Sequence, residues 1–169
     1  MKKALWIGGG LLLLAALAIA IPSILAAGRV SPEGPAWLGT LRTLRAAQMD
    51  FRANDRDGDG KNEFWRKDVA GLYTLQGKDG KPIALIEVST SQAEKTPKAG
   101  YLYRAIRFAD EPPLDVQRFA ACAYPATPDA GKNMGVISHE GAIYVKAAVP
   151  GGVDVFPADP LKEGWRKLD

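Results

Sequence analysis

The sequence is poor in residues that form covalent cross-links or carry common catalytic chemistry. Its 169 residues include one cysteine and one histidine. A single cysteine excludes an intramolecular disulfide, so the fold must be held by its hydrophobic core. Cys122 stands between apolar neighbours, Phe119 to Ala121 and Ala123 to Tyr124, which favours a buried thiol over a reactive one. A single histidine excludes an ordinary zinc site built from several nitrogen and sulfur ligands.

No combination of residues indicates a catalytic site. His139 is flanked by Ser138 and Glu140, but adjacent residues of a strand point to opposite faces and do not form a triad. We therefore expect His139 to be an exposed turn residue. The glycines at positions 8–10 are not a phosphate-binding loop, because they lie in an apolar segment with no lysine after them. The sequence favours a protein that is not an enzyme.

The soluble part of the chain has little net charge. The formal charge of +3 comes from 22 basic and 19 acidic residues, and Lys2 and Lys3 precede the first apolar segment. Without these two lysines the balance is 22 − 2 = 20 basic against 19 acidic residues, a net charge of +1. This balance, with no long run of either sign, argues against a nucleic-acid partner.

Acidic residues are absent before Glu33, and residues 4–27 carry no charge at all. A helix from Trp6 to Ala27 would be about 33 Å long at ~1.5 Å per residue, enough to cross a hydrocarbon core of about 30 Å. Lys2 and Lys3 on one flank place the N-terminus in the cytoplasm. We expect residues 1–27 to be a single-pass anchor in the inner membrane, with the C-terminal domain in the periplasm.

A cleaved signal peptide is the alternative for the same segment, and it would make the protein a secreted one. The short basic start fits this alternative. Cleavage after Ala27 or Ala26 would, however, place Leu25 or Ile24 at the third position before the cut, where small residues are preferred.

The rest of the chain is expected to be an α+β domain, residues 36–169, after a Pro/Gly hinge at 28–35. A helix over Ala36 to Ala53 is predicted by a largely apolar stripe at 4-3-4-3 spacing: Trp37, Leu41, Leu44, Gln48 and Phe51. The chain becomes strand-like from Tyr73 onward, with a short apolar run at residues 82–88. Further strands are predicted at 101–108, 118–124, 133–138 and 142–146, the last two joined by a hairpin turn at 139–141. Phe156 and Trp165 are expected to hold a packed C-terminal segment.

Two stretches near the start resemble type IV pilins and pseudopilins. AIAIPSILAAG (Ala18 to Gly28) resembles the end of the hydrophobic half of their long helix, and LGTLRTLRAAQ (Leu38 to Gln48) resembles the start of its amphipathic half. The remainder is similar to uncharacterised exported bacterial proteins at residues 98–101, 119–126 and 137–144. The resemblance implies a hydrophobic helix, followed by a short amphipathic helix packed on an antiparallel sheet, and a structural role in the cell envelope.

The chain departs from the pilin pattern in two ways. Pilins carry a glycine before the processing site and a glutamate that guides filament assembly, whereas this chain has no acidic residue before Glu33. The prolines Pro32 and Pro35 also interrupt the long helix. These departures favour a pilin-derived, membrane-tethered domain that acts through protein contacts in the envelope over a working filament subunit.

One motif indicates a metal ion. Asp55, Asp57 and Asp59 alternate before Gly60, as in the opening of a calcium loop. Lys61 would offer its backbone carbonyl and Glu63 would bind directly or through water. Arg66 stands at the position of the glutamate that closes an EF-hand loop. Asp68 is the candidate to supply the missing carboxylate. The alternative for this loop is a solvated acidic turn after the helix, in which aspartate and glycine serve the turn geometry. If the loop does bind calcium, the alternative to the pilin-like function is a calcium-stabilised exported binding module without a filament role.

Overall fold

The computed structural model describes residues 35–110 and 116–168. Contacts divide the chain into two units, Met1–Pro35 and Ala36–Asp169, and every element named here belongs to the second. The helices are α1 (Ala36–Asn54), α2 (Gly71–Thr74) and α3 (Val88–Ser91), with a 3-10 turn at Pro128–Ala130. The strands are β1 (Tyr101–Phe108), β2 (Ala120–Pro125), β3 (Asn133–Ser138), β4 (Ile143–Ala147), β5 (Val155–Phe156) and β6 (Arg166–Leu168).

The strands form one curled, mixed sheet in the order β5-β1-β2-β3-β4-β6. Strands β1 to β4 form an antiparallel meander, and β6 pairs antiparallel with β4. The predicted α+β class is confirmed. The prediction of an antiparallel sheet is wrong for β5, which pairs parallel with β1. The reason lies in the path of the chain. Strand β4 runs opposite to β1, so it ends on the side of the sheet where β1 begins. The chain then crosses the sheet and continues in the direction of β1, which makes β5 parallel to it.

Helix α1 packs on one face of the sheet, against β2 and β3. The predicted stripe is buried as expected: Trp37, Leu41, Leu44, Gln48 and Phe51. The strands beneath the helix present small residues, including Ala121, Ala123 and Gly135. A Cβ atom added to Gly135 would lie 2.4 Å from Cζ3 of Trp37, so only glycine permits this approach. The Trp37 ring in turn stacks on Tyr101, with 5.5 Å between ring centroids.

The opposite face of the sheet is covered by the C-terminal segment. Ile106, Cys122, Met134 and Val136 are buried there together with Phe156 and Trp165. Phe156 is 8% exposed and Trp165 is 6% exposed, which confirms that both hold this segment in place. Asp154 forms an ion pair with Arg104, and its carbonyl accepts the Arg107 N–H at 3.1 Å, so the segment is also fixed to β1.

The connection between α1 and β1 is less regular than predicted. The expected strand-like region from Tyr73 onward is wrong, because it contains the short helices α2 and α3 and a tight hairpin at residues 76–82. Gly77, Gly80 and Pro82 prevent a continuous strand there. Buried Gln48 anchors this connection to α1, since its side-chain amide donates to the Trp65 carbonyl at 2.6 Å and accepts the Trp65 N–H at 3.0 Å.

Candidate functional site

The candidate metal loop follows directly from the end of α1. The Arg56 N–H donates to the Phe51 carbonyl at 3.3 Å, which closes the last helical turn. This closure puts Asp55 in the left-handed region, with φ at +45°. Glycine is the usual residue at such a helix end, and aspartate is among the few others that tolerate it. We call residues 55–60 the acidic loop.

The acidic loop brings its three aspartates together. One carboxylate oxygen from each of Asp55, Asp57 and Asp59 lies within 4.8 Å of the other two. The Asp55 carboxylate accepts the Gly60 N–H at 3.2 Å, which folds the loop back on its start. Oδ1 of Asp57 is buried and has no hydrogen-bond partner among the described residues. Carboxylate oxygens at this spacing are the ligand type that Ca²⁺ prefers, so the residues fit the opening half of a calcium site.

Two lysines already neutralise part of this charge. The Nζ atom of Lys78, in the hairpin at residues 76–82, lies 2.9 Å from Oδ2 of Asp55. Nζ of Lys61 lies 3.1 Å from Oδ2 of Asp59. The hydrogen bond from Lys78 lowers the pKa of Asp55, aided by the Gly60 N–H. The hydrogen bond to Asp59 raises the pKa of Lys61. Both shifts favour the charged forms of Asp55 and Lys61 at neutral pH.

The carboxylate group of the acidic loop contains three of the residues predicted as metal ligands. Among the described residues, this group does not include Glu63. The predicted ligand from Lys61 is its backbone carbonyl, and its side-chain ammonium pairs with Asp59. Arg66, at the closing position, donates to the carbonyls of Arg118 and Ile106 inside the fold. Asp68 accepts hydrogen bonds from Nε1 of Trp65 at 3.1 Å and from the Gly71 N–H at 2.6 Å, so it orders the start of α2 instead.

A second concentration of polar side chains surrounds His139. The prediction that His139 is an exposed turn residue is wrong: the ring is half-buried, with its centroid 5.9 Å from Phe64 and 6.1 Å from Phe108. It lines a cleft of about 430 Å³ that also contains Tyr144 and Glu140. Oγ of Ser138 accepts the Glu140 N–H at 3.3 Å, and the Ser138 carbonyl accepts the Gly141 N–H at 3.0 Å, so these neighbours form a turn.

The remaining candidate, Cys122, is buried in the sheet as predicted. Burial raises the pKa of its thiol to about 11, so the thiolate is scarce at neutral pH. Sequence reasoning missed Lys78, because it reaches Asp55 across 23 residues and no local pattern signals the contact. The sequence Lys78-Asp79-Gly80-Lys81 is typical of a tight turn, but it does not indicate which other segment the turn contacts.

No known protein family, curated protein or solved structure matches the chain. Within residues 35–110 and 116–168, no helix is long and apolar enough to cross a membrane. The predicted anchor, at residues 1–27, and nearly all of the predicted hinge at 28–35 lie outside the described residues.

Proposed function

We propose that this chain is a membrane-tethered, pilin- or pseudopilin-like structural or assembly protein that acts through protein–protein contacts in the cell envelope. In this proposal residues 4–27 hold it in the inner membrane, with a cytoplasmic N-terminus and a periplasmic domain. The role is structural and not catalytic, and nucleic acid is not a partner.

The packing of α1 on the meander β1–β4 carries the proposal. An amphipathic helix that lies on a largely antiparallel sheet, and that follows an uncharged N-terminal segment in the sequence, is the arrangement that the pilin resemblance implies. The outer face of α1 supports a role in protein contacts. Gly39, Thr43, Ala46 and Met49 are exposed along one side of the helix, and Arg42 is exposed among them. Methionine and arginine are among the residue types enriched in protein–protein interfaces.

A photo-crosslinking amino acid placed at Ala46 tests the proposal in the native host. We expect a discrete cross-linked product in the membrane fraction from position 46. The matched control is position 81, where Lys81 is exposed in the hairpin at the far end of α1. The proposal fails if position 46 gives no product, or only the same products as position 81.

A calcium-stabilised exported binding module is the second candidate. The observation in its favour is the cluster of Asp55, Asp57 and Asp59, whose oxygens lie within 4.8 Å of one another. Exported proteins meet higher calcium than cytosolic ones, so even a site with a dissociation constant of about 10⁻⁴ to 10⁻³ M could fill. We expect calcium to raise the melting temperature of the wild type and of Asp79→Asn, a matched control in the hairpin, but not of Asp57→Asn. An equal melting temperature in calcium and in chelator would eliminate this candidate.

A further inference from the structure

The acidic loop is closed in this structure by contacts within the chain. Asp55 holds a left-handed backbone conformation that usually belongs to glycine, and its carboxylate receives both the Gly60 N–H and the Lys78 ammonium. The Asp55 side chain is only 17% exposed, whereas that of Lys78 is 63% exposed. The lysine therefore covers the carboxylate from the solvent side.

The hairpin at residues 76–82 packs against the acidic loop and so positions the Lys78 ammonium beside Asp55. A Cβ atom on Gly58 would lie 2.5 Å from Cγ of Lys78, so the lysine stem runs directly over the loop backbone. A Cβ atom on Gly77 would lie 3.2 Å from the Arg56 carbonyl, so the two backbones also approach closely. The loop and the hairpin together line a cleft of about 300 Å³. The acidic loop and the hairpin are distant in sequence, and they are joined by close backbone contact and by the Lys78–Asp55 ion pair.

We propose that Lys78 is the counter-ion of the acidic loop, and that its ion pair with Asp55 holds the hairpin at residues 76–82 against the loop without a bound metal ion. We call this ion pair the latch. This inference goes beyond both proposed functions and does not depend on either. The charges support it: three carboxylates and the ammonium groups of Lys61 and Lys78 sum to −3 + 2 = −1. Lys61 lies within two residues of Asp59 and orders only the loop itself, so Lys78 is the cation that connects the loop to another segment.

The other charged groups around the loop and the hairpin have partners of their own. Arg56 pairs with Asp50 of α1 at 2.8 Å. Lys81 lies 4.0 Å from Asp79 within the hairpin. Lys81 is therefore the matched control for Lys78, because it sits in the same hairpin, carries the same charge and pairs with no residue of the acidic loop.

Amide hydrogen exchange of the full-length chain in detergent, with a chelator present, tests the latch. Lys78→Met keeps the stem over Gly58 and removes the charge, and we expect residues 55–60 and 76–82 to exchange about threefold faster. Lys81→Met should exchange like the wild type. In about 1 M salt, where the screening length falls to about 3 Å, the difference between Lys78→Met and the wild type should shrink. Unchanged exchange in Lys78→Met, or an equal increase in Lys81→Met, would overturn the proposal.

Discussion

Replacing Gly135 with alanine tests the helix-on-sheet contact that underlies the proposed function. The new Cβ atom would lie 2.4 Å from Cζ3 and 2.9 Å from Cη2 of Trp37. The indole ring cannot move away freely, because it is buried and stacked on Tyr101 with 15° between the ring planes. Overpacking of this kind costs about 1–3 kcal/mol, and the lower entropy of the unfolded alanine chain offsets about 0.5 kcal/mol of it. We expect a net loss of roughly 0.5–2.5 kcal/mol in the free energy of unfolding.

Urea denaturation of residues 36–169, followed by circular dichroism, measures this change. The matched control is Gly39→Ala on the outer face of the same helix, where a Cβ atom would meet nothing within 4 Å. Alanine is the better helix former, so this variant should gain about 0.5–1 kcal/mol. In a Trp37→Leu background, Gly135→Ala should cost less than it does in the wild type, because the clashing ring atoms are absent. A Gly135→Ala variant as stable as the wild type would refute the packing account.

Three other predictions concern single side chains. Burial raises the pKa of Glu94, and the Asp68 charge raises it further, so wild-type stability should fall as pH rises from the ordinary value of 4.5 through the raised pKa. Glu94→Gln keeps an oxygen that accepts the Val69 N–H, and it should be more stable than the wild type at neutral pH but not in acid. Thermal melts in which the two proteins have the same pH profile would contradict this. Cys122, with a pKa of about 11, should react with a thiol reagent only after urea unfolding, and rapid reaction of the native protein would show that the site is open. If calcium binds the acidic loop, Lys78→Met should bind it more tightly by titration calorimetry, because no ammonium then competes for Asp55; equal affinity would show that calcium does not displace Lys78.

The regular elements were predictable where one physical pattern dominates. Strand β1 has the predicted bounds, Tyr101–Phe108, because a run of aromatic and branched residues is bounded by Gly100 and by Pro112 and Pro113. The 4-3-4-3 stripe predicted α1 to within a residue of its end. In each case, the side chains that define the pattern are also those that the core buries.

The remaining features depend on contacts between distant parts of the chain. The parallel pairing of β5 with β1 follows from the path after β4, and a two-residue strand carries no periodic signal. His139 lies in a turn by sequence, but its exposure is set by Phe64 and Phe108 from other segments. In the candidate site, the aspartate cluster was predictable from its spacing, whereas its partner Lys78 was not.

Intact-mass analysis of the protein from membrane and soluble fractions of its own host tests the central claim most directly. The claim is that an uncleaved N-terminal segment tethers the domain to the membrane. We predict the mass of the whole 169-residue chain in the membrane fraction. A mass shortened near Ala27, in the soluble fraction, would contradict the claim: the domain would then be secreted, and the pilin-like N-terminal segment would have no part in its function.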